Sequence, residues 1–214
     1  MFFTRKSELI EAEKALPGRS ERPFHLSEKH TVLDAPILTD TAPEGYEVAI
    51  FGLGCFWGAE EIFWKMDGVW STSAGYAGGT TPNPSYEEVC SGRTNHTEAV
   101  RVVYDPARVS FADLVKTFFE VHDPTQGMRQ GNDVGTQYRS AIYYTTPEQE
   151  QTARELTKVY GDELARRRLG DITTEIREVP TYYYAEDQHQ QYLAKNPFGY
   201  RCHANTGVKF PANA

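Results

Sequence analysis

Residues 48–66 read VAIFGLGCFWGAEEIFWKM and set the organisation of the chain. The apolar run at 48–53 is typical of a buried strand, and residues 59–66 have the composition of a helix. Cys55 then lies where a strand ends and a helix begins. Because the first helical turn has free N–H groups and the positive end of the dipole, we expect a lowered pKa and a reactive thiolate at Cys55. The alternative is a buried cysteine that packs as a small hydrophobic side chain.

The composition of the 214 residues argues against several classes of protein. A formal net charge of −8 disfavours a general binder of nucleic acids or of anionic membranes. No apolar run approaches the roughly 20 residues of a membrane span, and the first residues lack the apolar core of a secretory signal. We therefore expect a cytoplasmic protein that binds neither nucleic acid nor membrane.

The chain has three cysteines, Cys55, Cys90 and Cys202, and no C-x-x-C pair. This pattern is not that of a structural disulfide framework or of a zinc knuckle. The histidines His96, His122 and His189 match no metal-ligand spacing, and no nucleotide-binding fingerprint occurs, so neither a metal nor a cofactor is expected. Cysteines that matter in a reducing cytosol are more often catalytic or redox-active, and we interpret Cys90 as a buried or incidental thiol.

Strands and helices alternate along the chain, which predicts a sheet with helices packed on it, of the α/β or α+β class. Periodicity and capping residues predict strands at 47–53, 69–76, 98–104, 140–145 and 173–179, and helices at 56–66, 83–90, 111–122, 147–168 and 185–195.

The expected domain organisation has three parts. Prolines punctuate residues 1–45, which we expect to form an extended arm with a short helix at 7–15. Residues 46–199 are expected to form the catalytic domain, and residues 200–214 a flexible tail that carries Cys202.

Four loop segments combine glycine, aromatic and polar residues in a way that a scaffold alone does not require. Loops carry a disproportionate share of function. An acid, two phenol donors and two orienting groups are thereby available to a thiolate at Cys55: Glu98, Tyr86, Tyr138, His96 and Asp133.

Several motifs in these segments together resemble peptide methionine sulfoxide reductase of the A type. The motifs are GCFWG at 54–58, GYAGG at 75–79, NHTEA at 95–99, QGNDVGTQYRS at 130–140, AEDQHQQYL at 185–193 and NPFGY at 196–200. The resemblance runs from about Val48 to Cys202. The expected fold is then α+β: a two-layer α/β sandwich with a ferredoxin-like mixed sheet, helices packed on it, and irregular N- and C-terminal segments.

The resemblance implies reduction of the S epimer of methionine sulfoxide, free or in proteins, and hence repair of oxidised proteins. It makes Cys55 the thiolate that attacks the sulfoxide sulfur and Glu98 the acid that protonates the departing oxygen. Burial among aromatic rings would keep such a carboxyl protonated to a higher pH. Tyr86 and Tyr138 match the donors to the polarised oxygen.

The same resemblance assigns the substrate pocket and the second half of the cycle. Phe56 and Trp57 match the apolar pocket for the methyl group, and Asp133 matches a polar residue that lines the site. Cys55 would become a sulfenic acid, which Cys202 would resolve as a disulfide reduced by thioredoxin. The tail has a single cysteine, so this disulfide would meet the reductant directly. We expect a monomer.

Two other classes of protein remain open from the residues alone. A Cys–His hydrolase or acyltransferase would use Cys55 with a histidine base, and would need neither a reductant nor a second cysteine. A redox sensor or binding module would join Cys55 and Cys202 without turnover.

Overall fold

The computed structural model describes residues 6–40, 42–202 and 204–211. The rest of the predicted arm and tail lies outside the described residues. The main sheet has six strands, and a separate pair of two-residue strands forms a small hairpin. In chain order the strands are β1 (Glu47–Leu53), β2 (Val69–Ala77), β3 (Thr97–Tyr104), β4 (Arg129–Gln130), β5 (Asp133–Val134), β6 (Ser140–Tyr144), β7 (Glu175–Glu178) and β8 (Tyr183–Tyr184).

Within the described residues, five α-helices and two short 3₁₀ helices accompany the strands. The longest, α4, begins at Pro147 behind the N-cap Thr146, and α3 begins with a capping box between Ser110 and Asp113. The helices are α1 (Phe56–Trp64), α2 (Tyr86–Cys90), α3 (Phe111–Val121), α4 (Pro147–Arg166) and α5 (Tyr192–Lys195), and the 3₁₀ helices are Ala12–Lys14 and Thr136–Tyr138. In the described part of the chain, no helix is long and apolar enough to cross a membrane.

The main sheet is mixed, in the order β7-β6-β1-β3-β2-β8. The pair β6–β7 is parallel, and the other described pairs are antiparallel. Strand β1 lies inside the sheet and carries Phe51, whose ring packs on Phe63 of α1 at 5.0 Å and on Phe118 of α3 at 5.5 Å between centroids. Burying such side chains is the main favourable term in folding. The predicted α+β sandwich with a mixed sheet is confirmed.

The segment before β1 packs against the main sheet and its helices. Leu26 and Ile37 are buried, and Arg19 forms an ion pair with Glu88 of α2. The predicted helix at 7–15 is wrong, because the only helical turn observed there is the 3₁₀ helix at Ala12–Lys14. The division of the chain into arm, catalytic domain and tail stays a prediction.

The predicted helix at 185–195 is also wrong over most of its length. Turns occupy residues 187–191, and α5 has only four residues. The backbone of Gln191 is left-handed, with φ 46°, which an α-helix cannot contain. Polar side chains of this segment bond to distant groups instead. Gln190, for example, accepts from the backbone N–H of Ala74 at 2.9 Å.

Candidate active site

Cys55 is the N-cap residue of α1, directly after the end of β1. The turn between strand and helix depends on Gly54, which has φ +95°. A Cβ at this glycine would also lie 2.7 Å from the side chain of Gln130, so any other residue would strain the turn. The placement of Cys55 at a helix start therefore follows from its glycine neighbour and the strand before it.

The environment of Cys55 raises the pKa of its thiol, which makes the predicted lowering wrong. Burial is the largest cause, and the nearby Glu98 carboxylate adds to it. The backbone N–H groups of Trp57 and Gly58 do lower the pKa, as a helix start predicts, but their effect is smaller. Cys55 is therefore a thiol rather than a thiolate in the free protein at neutral pH.

Glu98 lies on β3 and is almost completely buried, at 1% exposure. Its Oε2 accepts a hydrogen bond from the backbone N–H of Phe56 at 3.0 Å, so the carboxyl lies against the first turn of α1. Burial raises the pKa of Glu98 to about 8, and the charge of Asp133 acts in the same direction. The carboxyl is thus mostly protonated at neutral pH and has a proton to donate.

The pairing of Glu98 with Cys55 predicts a measurable effect on thiol reactivity. Above pH 8 the Glu98 carboxylate is charged and disfavours the Cys55 thiolate, whereas Glu98→Gln is neutral at every pH. We expect Cys55 to react with iodoacetamide about tenfold faster in Glu98→Gln than in the wild type at about pH 9, where roughly one tenth of Glu98 keeps its proton. Below about pH 7 the two rates should converge.

Mass spectrometry of the peptide that contains Cys55 separates this reaction from that of the other cysteines. In denaturant the side chains of Glu98 and Cys55 move apart, so Cys55 should react at the same rate in the wild type and in Glu98→Gln. An identical pH dependence in the two folded variants would contradict the coupling of Glu98 to Cys55.

The charge of Glu98 acts on both predicted phenol donors, Tyr86 and Tyr138. Tyr86 begins α2, and its backbone N–H donates to Glu186 Oε1 at 2.7 Å. Tyr138 ends the second 3₁₀ helix and is half-buried. Burial and the charge of Glu98 raise the pKa of both phenols. Both hydroxyls therefore stay protonated over the ordinary pH range and can act as donors.

The predicted aromatic residues occupy different depths. Phe56 is 1% exposed, and its ring stacks with Tyr86, at 6.4 Å between centroids. Trp57 is half-buried, and its Nε1–H donates to His189 Nδ1 at 3.1 Å. The ring of Tyr192 stacks on Trp57 at 3.9 Å. Phe56 supports the site from behind, whereas Trp57 forms its more accessible side.

Glu186 and Tyr192 belong to this arrangement but were not predicted as site residues, and His189 was considered from the sequence only as a metal ligand. Glu186 accepts from the hydroxyl of Tyr76 at 2.8 Å as well as from the backbone of Tyr86. The sequence feature that could have indicated these residues is the cluster of polar and aromatic residues at 185–193. Its assignment to a continuous helix at 185–195 concealed this role, because a helix satisfies its own backbone groups and does not by itself indicate distant side-chain partners.

Asp133 lies on β5 of the small hairpin and accepts a hydrogen bond at Oδ2 from the hydroxyl of Tyr200, at 3.1 Å. Burial raises the pKa of Asp133. Tyr200 ends the motif at 196–200 but was not among the predicted site residues. It precedes Cys202 by two positions and connects the tail to the small hairpin that carries Asp133.

Cys202 and Cys55 line one small cavity of about 20 Å³, together with Gln130. Both thiols are free, and Cys202 Sγ lies 3.7 Å from the backbone oxygen of Gln130. Arg201 ties this part of the tail to α1, since its guanidinium makes two hydrogen bonds of 2.8 and 3.0 Å to the carboxylate of Glu61. The structure therefore brings the two cysteines to the same cavity in the reduced protein.

His122 also lines the cavity beside Cys55, but both its nitrogens are engaged. Nδ1 lies 2.5 Å from the backbone oxygen of Phe118, and Nε2 lies 2.8 Å from Ser140 Oγ. Burial lowers the pKa of His122 to about 4. This arrangement does not favour a Cys–His hydrolase, because the nearby histidine is not available as a base.

His96 is likewise engaged in structural hydrogen bonds, to Gly79 and to Thr81. Cys90 is half-buried on α2, where burial raises the pKa of its thiol and the neighbouring Tyr86 side chain acts in the opposite direction. Among the residues that the structure describes, no group of three His, Cys, Asp or Glu side chains could hold a metal ion.

Relatives of known family match nearly the whole chain. The sequence model of the family "Peptide methionine sulfoxide reductase" matches residues 47–212. The chain is 58% identical over 211 residues to the peptide methionine sulfoxide reductase MsrA of Rhodospirillum centenum, with 99% of this chain and 95% of that protein covered.

Two solved structures extend the comparison to the fold. Methionine sulfoxide reductase A of Corynebacterium diphtheriae is 51% identical, with a TM-score of 0.85 over 95% of this chain and 99% of that one. Mxr1 from Saccharomyces cerevisiae in complex with Trx2 has a TM-score of 0.51 at 19% identity, over 78% and 94% of the two chains, a likeness of fold alone. The chain belongs to the peptide methionine sulfoxide reductase family, MsrA type, and is an oxidoreductase that reduces methionine sulfoxide.

Proposed function

We propose that the protein reduces the S epimer of methionine sulfoxide, free or within proteins, through a thiol cycle that begins at Cys55. One observation supports this most directly. A buried carboxyl with a pKa of about 8, Glu98, contacts the first turn of the helix that Cys55 caps. A nucleophile and an acid are thus available to the two ends of one S–O bond.

In the proposed first step, Cys55 sulfur attacks the sulfoxide sulfur while Glu98 protonates the oxygen. The thiol proton leaves Cys55 as the bond between the two sulfur atoms forms, and it restores the proton that Glu98 has given to the oxygen. The hydroxyl group then moves from the substrate sulfur to Cys55 as the bond between the two sulfur atoms breaks, so that methionine departs and Cys55 becomes a sulfenic acid. Methionine sulfoxide is thereby reduced by two electrons, and Cys55 is oxidised by two.

Tyr86 and Tyr138 are proposed to donate hydrogen bonds to the sulfoxide oxygen as it gains negative charge. Donors already oriented toward such an oxygen contribute about 3 kcal/mol, by analogy with oxyanion holes. The raised pKa of both phenols supports this role, because only the protonated hydroxyl can donate. Trp57 and Phe56 would hold the methyl group, and Asp133 would line the polar side.

The second half of the proposed cycle uses Cys202. Its thiol attacks the sulfenic sulfur of Cys55, water leaves, and a disulfide joins the two residues. The cavity that both cysteines line supports this pairing. A dithiol protein of the thioredoxin type would then reduce the disulfide, and the solved complex of Mxr1 with Trx2 is a precedent in a protein of the same fold.

The tail has one cysteine, so we propose that the disulfide is presented to the reductant directly, without a relay. A cytosolic location would suit this cycle, because thioredoxin keeps cytosolic thiols reduced.

A turnover assay tests the proposed function. Purified protein with dithiothreitol should form methionine from the S epimer of a methionine sulfoxide, and the R epimer should remain unreduced. Chromatography of the products quantifies methionine from each epimer. Equal reduction of both epimers, or product from the R epimer alone, would overturn the proposed selectivity.

A further inference from the structure

Glu60 is a fully buried carboxyl on α1, one turn beyond Cys55, that the proposed chemistry does not use. Its two oxygens accept three hydrogen bonds. Oε1 accepts from Gln191 Nε2 at 2.7 Å and from Thr72 Oγ1 at 3.0 Å, and Oε2 accepts from the backbone N–H of Gln191 at 2.8 Å. A carboxyl in such a place is costly unless its oxygens are satisfied, so its position points to a specific role.

A chain of hydrogen bonds runs from His30 through Thr72 to Glu60, and each donor in it points toward Glu60. His30 Nδ1 accepts from the backbone N–H groups of Val32 and Leu33, so Nε2 carries the proton of the neutral ring. Nε2 lies 2.8 Å from Thr72 Oγ1, which accepts from it and donates in turn to Glu60. The segment before β1 is thus connected to the carboxyl on α1 through side chains.

Gln191 connects Glu60 to the substrate side of the site. Its own Oε1 accepts from the backbone N–H of Thr31 at 3.1 Å, so both ends of its amide are engaged. Its backbone has φ 46° and ψ 42°, a left-handed conformation that is unfavourable for a residue with a side chain. The contacts of the side chain and of the backbone N–H stabilise this turn.

The turn at Gln191 separates the two residues that hold Trp57. His189 accepts a hydrogen bond from the indole N–H, and Tyr192 stacks on the indole face. The positions of both depend on the backbone at Gln191, which lies between them in the chain.

We propose that Glu60 is a positioning residue for substrate binding: it fixes the turn at Gln191, which orients Trp57 through His189 and Tyr192. The proposal rests on the proposed role of Trp57 as a wall of the substrate pocket. Loss of the Glu60 carboxylate leaves the thiol chemistry intact but loosens this wall. It therefore weakens sulfoxide binding more than it slows the reaction of bound substrate.

Glu60→Gln tests the proposal with almost no change of volume. Glutamine replaces one acceptor oxygen with an NH₂ group, which faces a donor from Gln191 or from Thr72. We expect KM for the sulfoxide to rise about tenfold, since a buried donor loses its partner. The saturated rate with dithiothreitol should change less than about twofold.

Gln191→Asn is a second variant for the case in which Glu60→Gln does not fold. Asparagine tolerates the left-handed backbone, but its shorter amide cannot reach both Glu60 and Thr31. The same rise in KM is expected. Gln149→Leu is the matched control, because it removes a buried amide bonded to Val48 and Tyr104 at the opposite end of the sheet. It should leave KM unchanged even where it lowers the melting temperature.

A double-mutant cycle with Trp57→Leu separates this inference from the proposed function. If Glu60 acts through Trp57, Glu60→Gln should raise KM no further in the Trp57→Leu background. Additive effects, or an unchanged KM in Glu60→Gln while Trp57→Leu raises it, would overturn the inference alone. An unchanged KM in Trp57→Leu would mean that Trp57 does not contribute to substrate binding, and the role assigned to Glu60 would then be wrong as well.

Discussion

Replacing Cys55 with serine should abolish the reduction of methionine sulfoxide, with any reductant. Serine occupies nearly the same volume at the N-cap of α1, so the fold should persist. Its hydroxyl is not a nucleophile toward sulfur under these conditions and cannot take up oxygen as a sulfenic acid does. Loss of a nucleophile of this kind lowers activity by roughly 10⁴-fold or more.

The measurement is methionine formed per enzyme from the S epimer, in one turnover and in many. Cys90→Ser is the matched control, because it also exchanges a half-buried thiol for a hydroxyl and leaves a polar atom beside Tyr86. It should keep the greater part of the activity. Methionine formed by Cys55→Ser at more than a small fraction of the wild-type rate would mean that another residue is the nucleophile.

Replacing Cys202 with serine should separate the two halves of the cycle. The attack of Cys55 on the sulfoxide precedes resolution, so the variant should still release about one equivalent of methionine per enzyme. Turnover with thioredoxin should stop, because no disulfide forms for thioredoxin to reduce. The cavity shared by the two thiols gives the structural reason for expecting resolution by Cys202.

Two readouts establish this outcome. A rapid-quench experiment measures methionine released in the first turnover, and mass spectrometry after trapping with a sulfenic-acid reagent locates the oxidised residue at Cys55. Small thiols such as dithiothreitol reduce an exposed sulfenic acid directly, so slow turnover with them is compatible with the assignment. Normal turnover with thioredoxin would instead transfer the resolving role to Cys90 or to a direct reaction of the reductant.

Both experiments depend on the protonation states of Cys55 and Glu98 in the free protein. With Cys55 held as a thiol and Glu98 mostly protonated, the free protein contains no strongly nucleophilic thiolate at neutral pH. Thiolates are the forms of cysteine that oxidants attack most readily. We therefore expect the Cys55 thiol of the free protein to react slowly with such oxidants.

Much of the fold was predictable because its signals are local. The apolar run of β1, the glycine turn at Gly54 and the start of α1 follow from neighbouring residues, and so does the capping of α3 by Ser110. The family, too, was evident from motifs read in order. The failures lie at 7–15, where the backbone of Ile10 bonds to the side chain of Asn95, and at 185–195, where side chains such as that of Gln190 bond to distant groups instead of continuing a helix.

For the site, the sequence by itself determined which residue types are present and that Cys55 starts a helix. Only the tertiary structure decided the protonation of Cys55, since burial, joined above about pH 8 by the charge of Glu98, outweighs the helix start that local reasoning emphasised. It likewise brought Cys202 to the cavity of Cys55 and placed His189 and Tyr192 against Trp57. Periodicity and caps act over a few residues, whereas desolvation and long-range hydrogen bonds depend on groups that only folding brings together.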